Sequence, residues 1–188
     1  MSEVPAILAA LRAEHLQIAT LLGLIEREVD HLERRGKADI GLLAAIVRYL
    51  ALYPDRYHHP KEDLVYACLR ARDPGAAAAI GKLAQDHVDL GAATRRLAAR
   101  LEGAERGHEV PPATLGRECR ALLGRYHDHM TREESDLFPH AQRALRPADW
   151  ARIERDAASR EDPLFGPNVE AAFQPIHDAL MRRSWLRA

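Results

Sequence analysis

Cysteine is scarce in this chain: Cys68 and Cys119 are the only two among 188 residues. A single possible pair cannot make the disulfide framework that staples small secreted domains, so a reducing compartment is expected, and cytoplasmic localisation with it. Aromatic residues are also few, at 5%, while Ala, Leu, Arg and Glu dominate; that favours helices and argues against a β-sandwich or barrel. Neither sign of charge is in excess. With 27 basic and 28 acidic residues and a formal net charge of −1, nothing electrostatic points to nucleic acid or to an acidic membrane surface. No apolar run of about 18 residues occurs, and the opening Met1-Ser2-Glu3-Val4-Pro5 has no basic region leading into an apolar one. No signal peptide and no membrane span are expected. The length is that of one average domain, and 47% apolar residues are enough for its core. Histidine, by contrast, is abundant: there are ten.

Four segments carry helical periodicity. Segment 4–35 has the stripe Leu8, Leu11, Ile18, Leu22, Ile25, Val29, Leu32, with His15 at the one stripe position that is not apolar. Gly36 ends it behind Arg34 and Arg35. Segment 39–72 starts on Asp39 as N-cap and shows Ile40, Leu43, Val47 and Leu50; Pro54 and Pro60 then interrupt it, so a kink or short break is expected. The third segment opens at Asp73-Pro74-Gly75 and runs through Ile80, Leu83, His87, Leu90, Thr94, Leu97 and Leu101. A polar loop over 103–109 leads to the fourth, 112–145, with Leu115, Cys119, Leu122, Tyr126, His129, Glu133, Leu137 and Ala141 in line. Short connections make antiparallel neighbours of all four. The expected fold is all-α: an up-down-up-down four-helix bundle over 1–145, with a C-terminal helical extension over 146–188 packed on it. That extension holds a short helix after Pro147, a turn-rich stretch over 162–167, and an amphipathic helix with Val169, Phe173, Ile176 and Leu180.

A lone histidine on an apolar stripe is ordinarily a hydrogen-bonded core residue. The combination says more. His58 with Glu62, and His129 with Glu133, are both His-x-x-x-Glu, which places each pair on one helix face a turn apart. Such pairs are common on solvated surfaces, so height along the helices is the better test. His15 lies 20 residues before Arg35, His58 19 after Asp39, His87 13 after Pro74, and His129 and Glu133 17 and 21 after Pro112. At about 1.5 Å of rise per residue, antiparallel packing brings His15, His58, Glu62, His87, His129 and Glu133 into one layer. Burying even one unpaired charge is costly, so this set needs a partner. Four imidazoles and two carboxylates suit one or two transition ions, chiefly iron, with manganese or zinc as alternatives. No thiolate belongs to the set, which argues against an iron–sulfur cluster, and the Glu-x-x-His spacing of ferritin-like di-iron bundles is absent. The competing reading is a buried polar network without metal.

In this order of ligands, and in the runs His58-His59-Pro60-Lys61-Glu62-Asp63 and Glu133-Glu134-Ser135-Asp136-Leu137-Phe138-Pro139, the sequence resembles the hemerythrin family, in its bacterial hemerythrin-like (HHE cation-binding) branch, over about residues 5–145. The run Asp162-Pro163-Leu164-Phe165-Gly166 is similar to a tail seen in such proteins. The resemblance implies a cofactor of two iron ions, a non-haem di-iron centre, with Glu62 and Glu133 bridging and His15, His58, His87 and His129 as terminal ligands. It implies a small ligand: dioxygen, nitric oxide or peroxide. Whether there is turnover, such as peroxide disproportionation, stays open. The alternative is an iron- or oxygen-responsive sensor module with metal-dependent folding. Iron repair or delivery is suggested only by relatives with an added cysteine-bearing N-terminal segment. Oxygen-carrying members place a further His one turn after the helix-3 ligand. Gly91 stands there in this chain, so an open, wet site with spare room above His87 is expected rather than simple oxygen carriage.

Other residues stand lower. His59 can replace His58 only if Pro60 twists the helix, and His59→Ala is expected to do little. Tyr126 either reaches the site or is a buried core tyrosine, the reading preferred. His31 and His127 fall off the stripes, His108 is in a loop, His140 lies two turns beyond Glu133, and His177 is in the tail. Both cysteines read as buried thiols. Protein partners are unknown.

Overall fold

Among the residues that the computed structural model describes, 4–81, 83–157, 164–165 and 169–185, every regular element is helical. Helix α1, Ala6–Arg35, ends as its sequence demands: Gly36 takes the left-handed conformation at φ 68° and its N–H reaches back to the Leu32 carbonyl. Helix α2, Ile40–Tyr53, begins on Asp39, whose carboxylate accepts from the Leu42 N–H. A five-residue π-helical turn, Pro54–His58, joins it to α3, His59–Arg72. Its defining bond runs from the His59 N–H to the Pro54 carbonyl, five residues back. Pro60 supplies the cause. It has no N–H to donate, and its ring crowds the carbonyl four residues earlier, so the preceding turn widens. The expected break is thus an added residue in one turn.

The segment from Pro74 onward does not run unbroken. Gly81, at φ 89°, separates a short α4, Pro74–Ile80, from α5, Leu83–Glu105. Nor is 112–145 one regular helix. Helix α6, Pro112–Arg132, passes through a second π turn, Glu133–Leu137, into α7, Phe138–Ala144. Here the Phe138 N–H bonds to the Glu133 carbonyl, and a proline, Pro139, again follows two residues after the turn.

Helix α2 packs on α5 and α1 on α6, while α3 touches α7. Two apolar clusters result. One holds Ile18, Leu22, Leu43, Tyr53, Leu90 and Tyr126. The other holds Leu8, Leu11, Val65, Leu83, Leu137 and Phe138. Every column crosses from one cluster to the other, and the residues at the crossings are polar: His15 between Leu11 and Ile18, Glu62 between Tyr53 and Val65, His87 between Leu83 and Leu90, Glu133 between Tyr126 and Leu137. The layer inferred from height is therefore sandwiched between two buried apolar regions. In the tail, α8, Pro147–Asp156, adds Trp150 and Ile153 to the second cluster and is tied to α3 by the bidentate Arg72–Asp149 pair at 2.9 Å. Phe173, ending a short 3-10 turn over Ala171–Phe173, and Ile176 of α9, Gln174–Trp185, join the first cluster beside α2. Of the tail motif at 162–166, only Leu164 and Phe165 lie within the described residues.

By length and composition alone α1 could cross a membrane. Its apolar stripe is buried in both clusters and it carries His15, which is how the core helix of a soluble bundle also reads.

Candidate metal centre

All six residues inferred from periodicity meet in the layer between the two clusters. Glu62 and Glu133 are 0% exposed and stand at its middle, each offering its two oxygens to different partners. Oε1 of Glu62 lies 3.2 Å from His15 Nε2 and 3.1 Å from His58 Nε2, while its Oε2 is 3.5 Å from His87 Nε2. Glu133 mirrors this: Oε2 is 3.3 Å from His15 Nε2, and Oε1 lies 3.4 Å from His87 Nε2 and 3.3 Å from His129 Nε2. The imidazoles thus form two groups with the carboxylates between them.

A seventh residue, weighed above only in place of His58, joins the layer. His59 is buried, its ring stacked on His87 at 4.0 Å and edge-on to His129 at 5.7 Å. It is an addition to His58, not a substitute for it. Neighbours on a regular α-helix point about 100° apart, so only one could face inward. The π turn changes that angle, and both do. The tandem His58-His59 before a proline was the available signal. Two four-ligand sets now lie within 4.8 Å each: His59, Glu62, His87 and His129; and His15, His58, Glu62 and Glu133.

Gly91 also differs from expectation. It leaves no spare room: a Cβ there would meet Arg95 Nη1 at 3.0 Å and the Asp55 carboxylate at 3.1 and 3.2 Å. Tyr126 is a core tyrosine whose hydroxyl donates to the Leu50 carbonyl at 3.3 Å. Cys68 and Cys119 are unpaired and buried. His108 is exposed, His140 bonds the Asp136 carbonyl, and His127, also exposed, lines a groove that lies against His15.

An outer ring of acids surrounds the imidazoles. Glu134 Oε1 bonds His15 Nδ1 at 2.9 Å and is held by Arg12 at 3.1 Å. Glu14 bonds His58 Nδ1 at 2.8 Å and pairs with Lys61. Asp55 lies 3.3 Å from His59 Nδ1 and Asp63 3.2 Å from His87 Nδ1, both near but off the line of a hydrogen bond. Glu134 and Glu14 hold the His15 and His58 rings with Nε2 facing inward, and Asp63 and Asp55 stand on the outer side of the His87 and His59 rings. They sit next to residues of the layer in sequence (Glu14, Asp63 and Glu134 are immediate neighbours), a pattern visible only once the layer is assembled.

Charge bears the same mark. Burial disfavours a charged His15, but the Glu133 and Glu62 carboxylates outweigh it and push the ring up to about 10. His58 is likewise buried and rises to about 9 beside Glu62 and Glu14; His87 reaches about 11 through Asp63, Glu133 and Glu62. His129, with no outer acid, is pulled down by burial to about 4. Burial would lift the Glu62 carboxyl, yet the histidines hold it well below the usual range. Two buried carboxylates therefore need positive charge between them. Glu62 Oε2, Glu133 Oε2 and both nitrogens of His129 have no hydrogen-bond partner. Leaving such groups unsatisfied costs about 1–3 kcal/mol each, whereas imidazole and carboxylate donors converging on a point fit a metal cation.

A helical protein with a buried histidine–carboxylate cation site is thus what fold and site define. Residues 6–141 match the family described as the hemerythrin HHE cation binding domain. The chain belongs to that family. No curated protein and no solved structure matches it.

Proposed function

We propose that this chain is a non-haem di-iron protein, with residues 1–145 forming an up-down-up-down four-helix bundle around the centre and 146–188 a helical extension packed on the bundle. The carrying observation is the division of labour at Glu62 and Glu133, whose paired oxygens face different imidazole groups. One ion would take His59, His87 and His129; the other would take His15 and His58; both carboxylates would serve each. Seven side chains exceed what a single tetrahedral zinc uses.

Iron held there supplies the redox change and a position for a small ligand: dioxygen, nitric oxide or peroxide. The residues do the rest. The His15–His58 side has one imidazole fewer, which leaves it the place for an outside ligand. A groove of about 590 Å³ and largely apolar surface lies against His15, lined by Leu16, Ala19 and Met130 together with Arg12, His127, Thr131, Glu134 and Ser135. It admits a small neutral molecule while the two apolar clusters keep bulk water off the opposite sides. The alternative, an iron- or oxygen-responsive module, rests on the same site, favoured by its orphaned polar atoms, since metal would then decide stability. A cytoplasmic setting fits the unpaired thiols.

The test is metal analysis of protein made in iron-rich medium, then stopped-flow mixing of the reduced form with oxygen, nitric oxide or peroxide. Two irons per chain and a rapid optical response to at least one ligand are expected. Protein holding one zinc and no iron would sink the proposal.

A further inference from the structure

We infer that Asp55, clamped by Arg95 in the space kept clear by Gly91, is the positioning group that holds His59 in the metal centre. The inference rests on the metal reading above. Asp55 is in the first π turn and Arg95 and Gly91 are on α5, so the device ties two columns together at the point where His58 and His59 turn inward. Arg95 Nη1 lies 2.6 Å from Asp55 Oδ2. The other oxygen, Oδ1, is the one that faces His59 Nδ1 at 3.3 Å. A carboxylate there favours the tautomer with the proton on Nδ1, which leaves the Nε2 lone pair for an ion.

Gly91 is part of the same arrangement. Any side chain at 91 would begin within 3.0–3.2 Å of both charged groups. The ends of Asp55 and Arg95 can yield by a few tenths of an ångström to a methyl, but not to a branched side chain. Among the described residues Asp55 is the acid placed against His59 Nδ1, a nitrogen that has no aligned hydrogen bond; the ring is otherwise buried against His87 and His129, and rings alone do not fix which nitrogen points inward. His15 and His58 each have a well-aligned acid, and His129 has none. Asp55 therefore decides whether the His87–His129 side offers two imidazoles or three.

Cobalt(II) is the probe, because each Nδ1–H of a bound imidazole gives its own far-shifted, solvent-exchangeable proton signal. One such signal is expected to vanish in His59→Ala. The same signal should vanish in Asp55→Ala and in Gly91→Val, with cobalt binding weakened about 10–100-fold, while Asp55→Asn, keeping the shape and one acceptor, retains it. A purely structural Asp55 would lower the melting temperature without removing that signal. Asp55→Ala and Gly91→Val proteins that keep the His59 signal and native cobalt affinity would overturn the inference. Native chain that takes up no cobalt would fail the metal reading itself. The His59 ring nitrogen spectrum of the metal-free chain then decides separately: loss of the Nδ1-protonated form in Asp55→Ala upholds the positioning role, and an unchanged spectrum refutes it.

Discussion

At the level of single residues the two glutamates and the imidazoles do different work. Glu62 and Glu133 are fully buried, and each stands between both imidazole groups. Removing one takes away charge balance and two donor directions at once. Removing His129 takes away one imidazole that water can replace. Glu133→Ala is therefore expected to lower metal content from two ions to one or none and to drop the melting temperature of iron-loaded protein by roughly 5–15 °C. His129→Ala should keep at least one ion. Metal analysis and thermal denaturation on the two variants check the order; equal loss in both would contradict the bridging role. The candidate ligands were legible because a polar residue on an apolar stripe stands out, and the i,i+4 spacing of His58–Glu62 and His129–Glu133 repeats. His59 was not, because in a regular helix its side chain turns away from that stripe. For the same reason His59→Ala, once expected to do little, should now weaken the His87–His129 side by about tenfold.

The π turns act at the scale of elements. Each stands where a column passes the metal layer, and each is followed by a proline. Pro60 had marked a break, though not that the break adds a residue to one turn; Pro139 carried the same signal and went unread because the stripe through Glu133, Leu137 and Ala141 looks regular. Gly81 likewise hid inside a continuous apolar pattern, although its φ of 89° excludes it from a helix. Sequence periodicity averages over several turns, so a single widened turn leaves it nearly unchanged. The turn can be tested directly. Arg56 is exposed within Pro54–His58, and deleting it would return that turn to α geometry with α2 and α3 still in phase, so that only one of His58 and His59 could face inward. Helix content by circular dichroism should change by less than about 10% while iron falls below two per chain. A deletion variant that loads two irons would show that the widened turn does not aim His58 and His59.

At the scale of the whole molecule, metal and protons compete for the gap between the two apolar clusters. Without metal, His15, His58 and His87 hold protons in the fold, with pKa values pushed up to about 10, 9 and 11. In the unfolded chain each titrates near the ordinary 6.5. Between these values the folded state binds more protons than the unfolded one, so stability falls as pH rises. The contribution is complete below about 6.5 and is lost as pH climbs through the folded values. His129 works the other way: held down to about 4 by burial, it lowers stability as pH falls from 6.5. Glu62, held below its ordinary 4.5, adds to the acid-side loss. Metal-free protein should thus be most stable near pH 6.5 and lose on the order of 5–10 °C in melting temperature between pH 7 and 10. Bound metal replaces the protons, so the loaded protein should hold its melting temperature across that window, and the gap between the two forms should widen with pH. Thermal melts of both forms at pH 6.5, 8 and 9.5 read this out. A metal-free melting temperature that stays flat or rises toward pH 9.5 would mean that the buried histidines are neutral in the fold and that the two carboxylates are balanced in some other way.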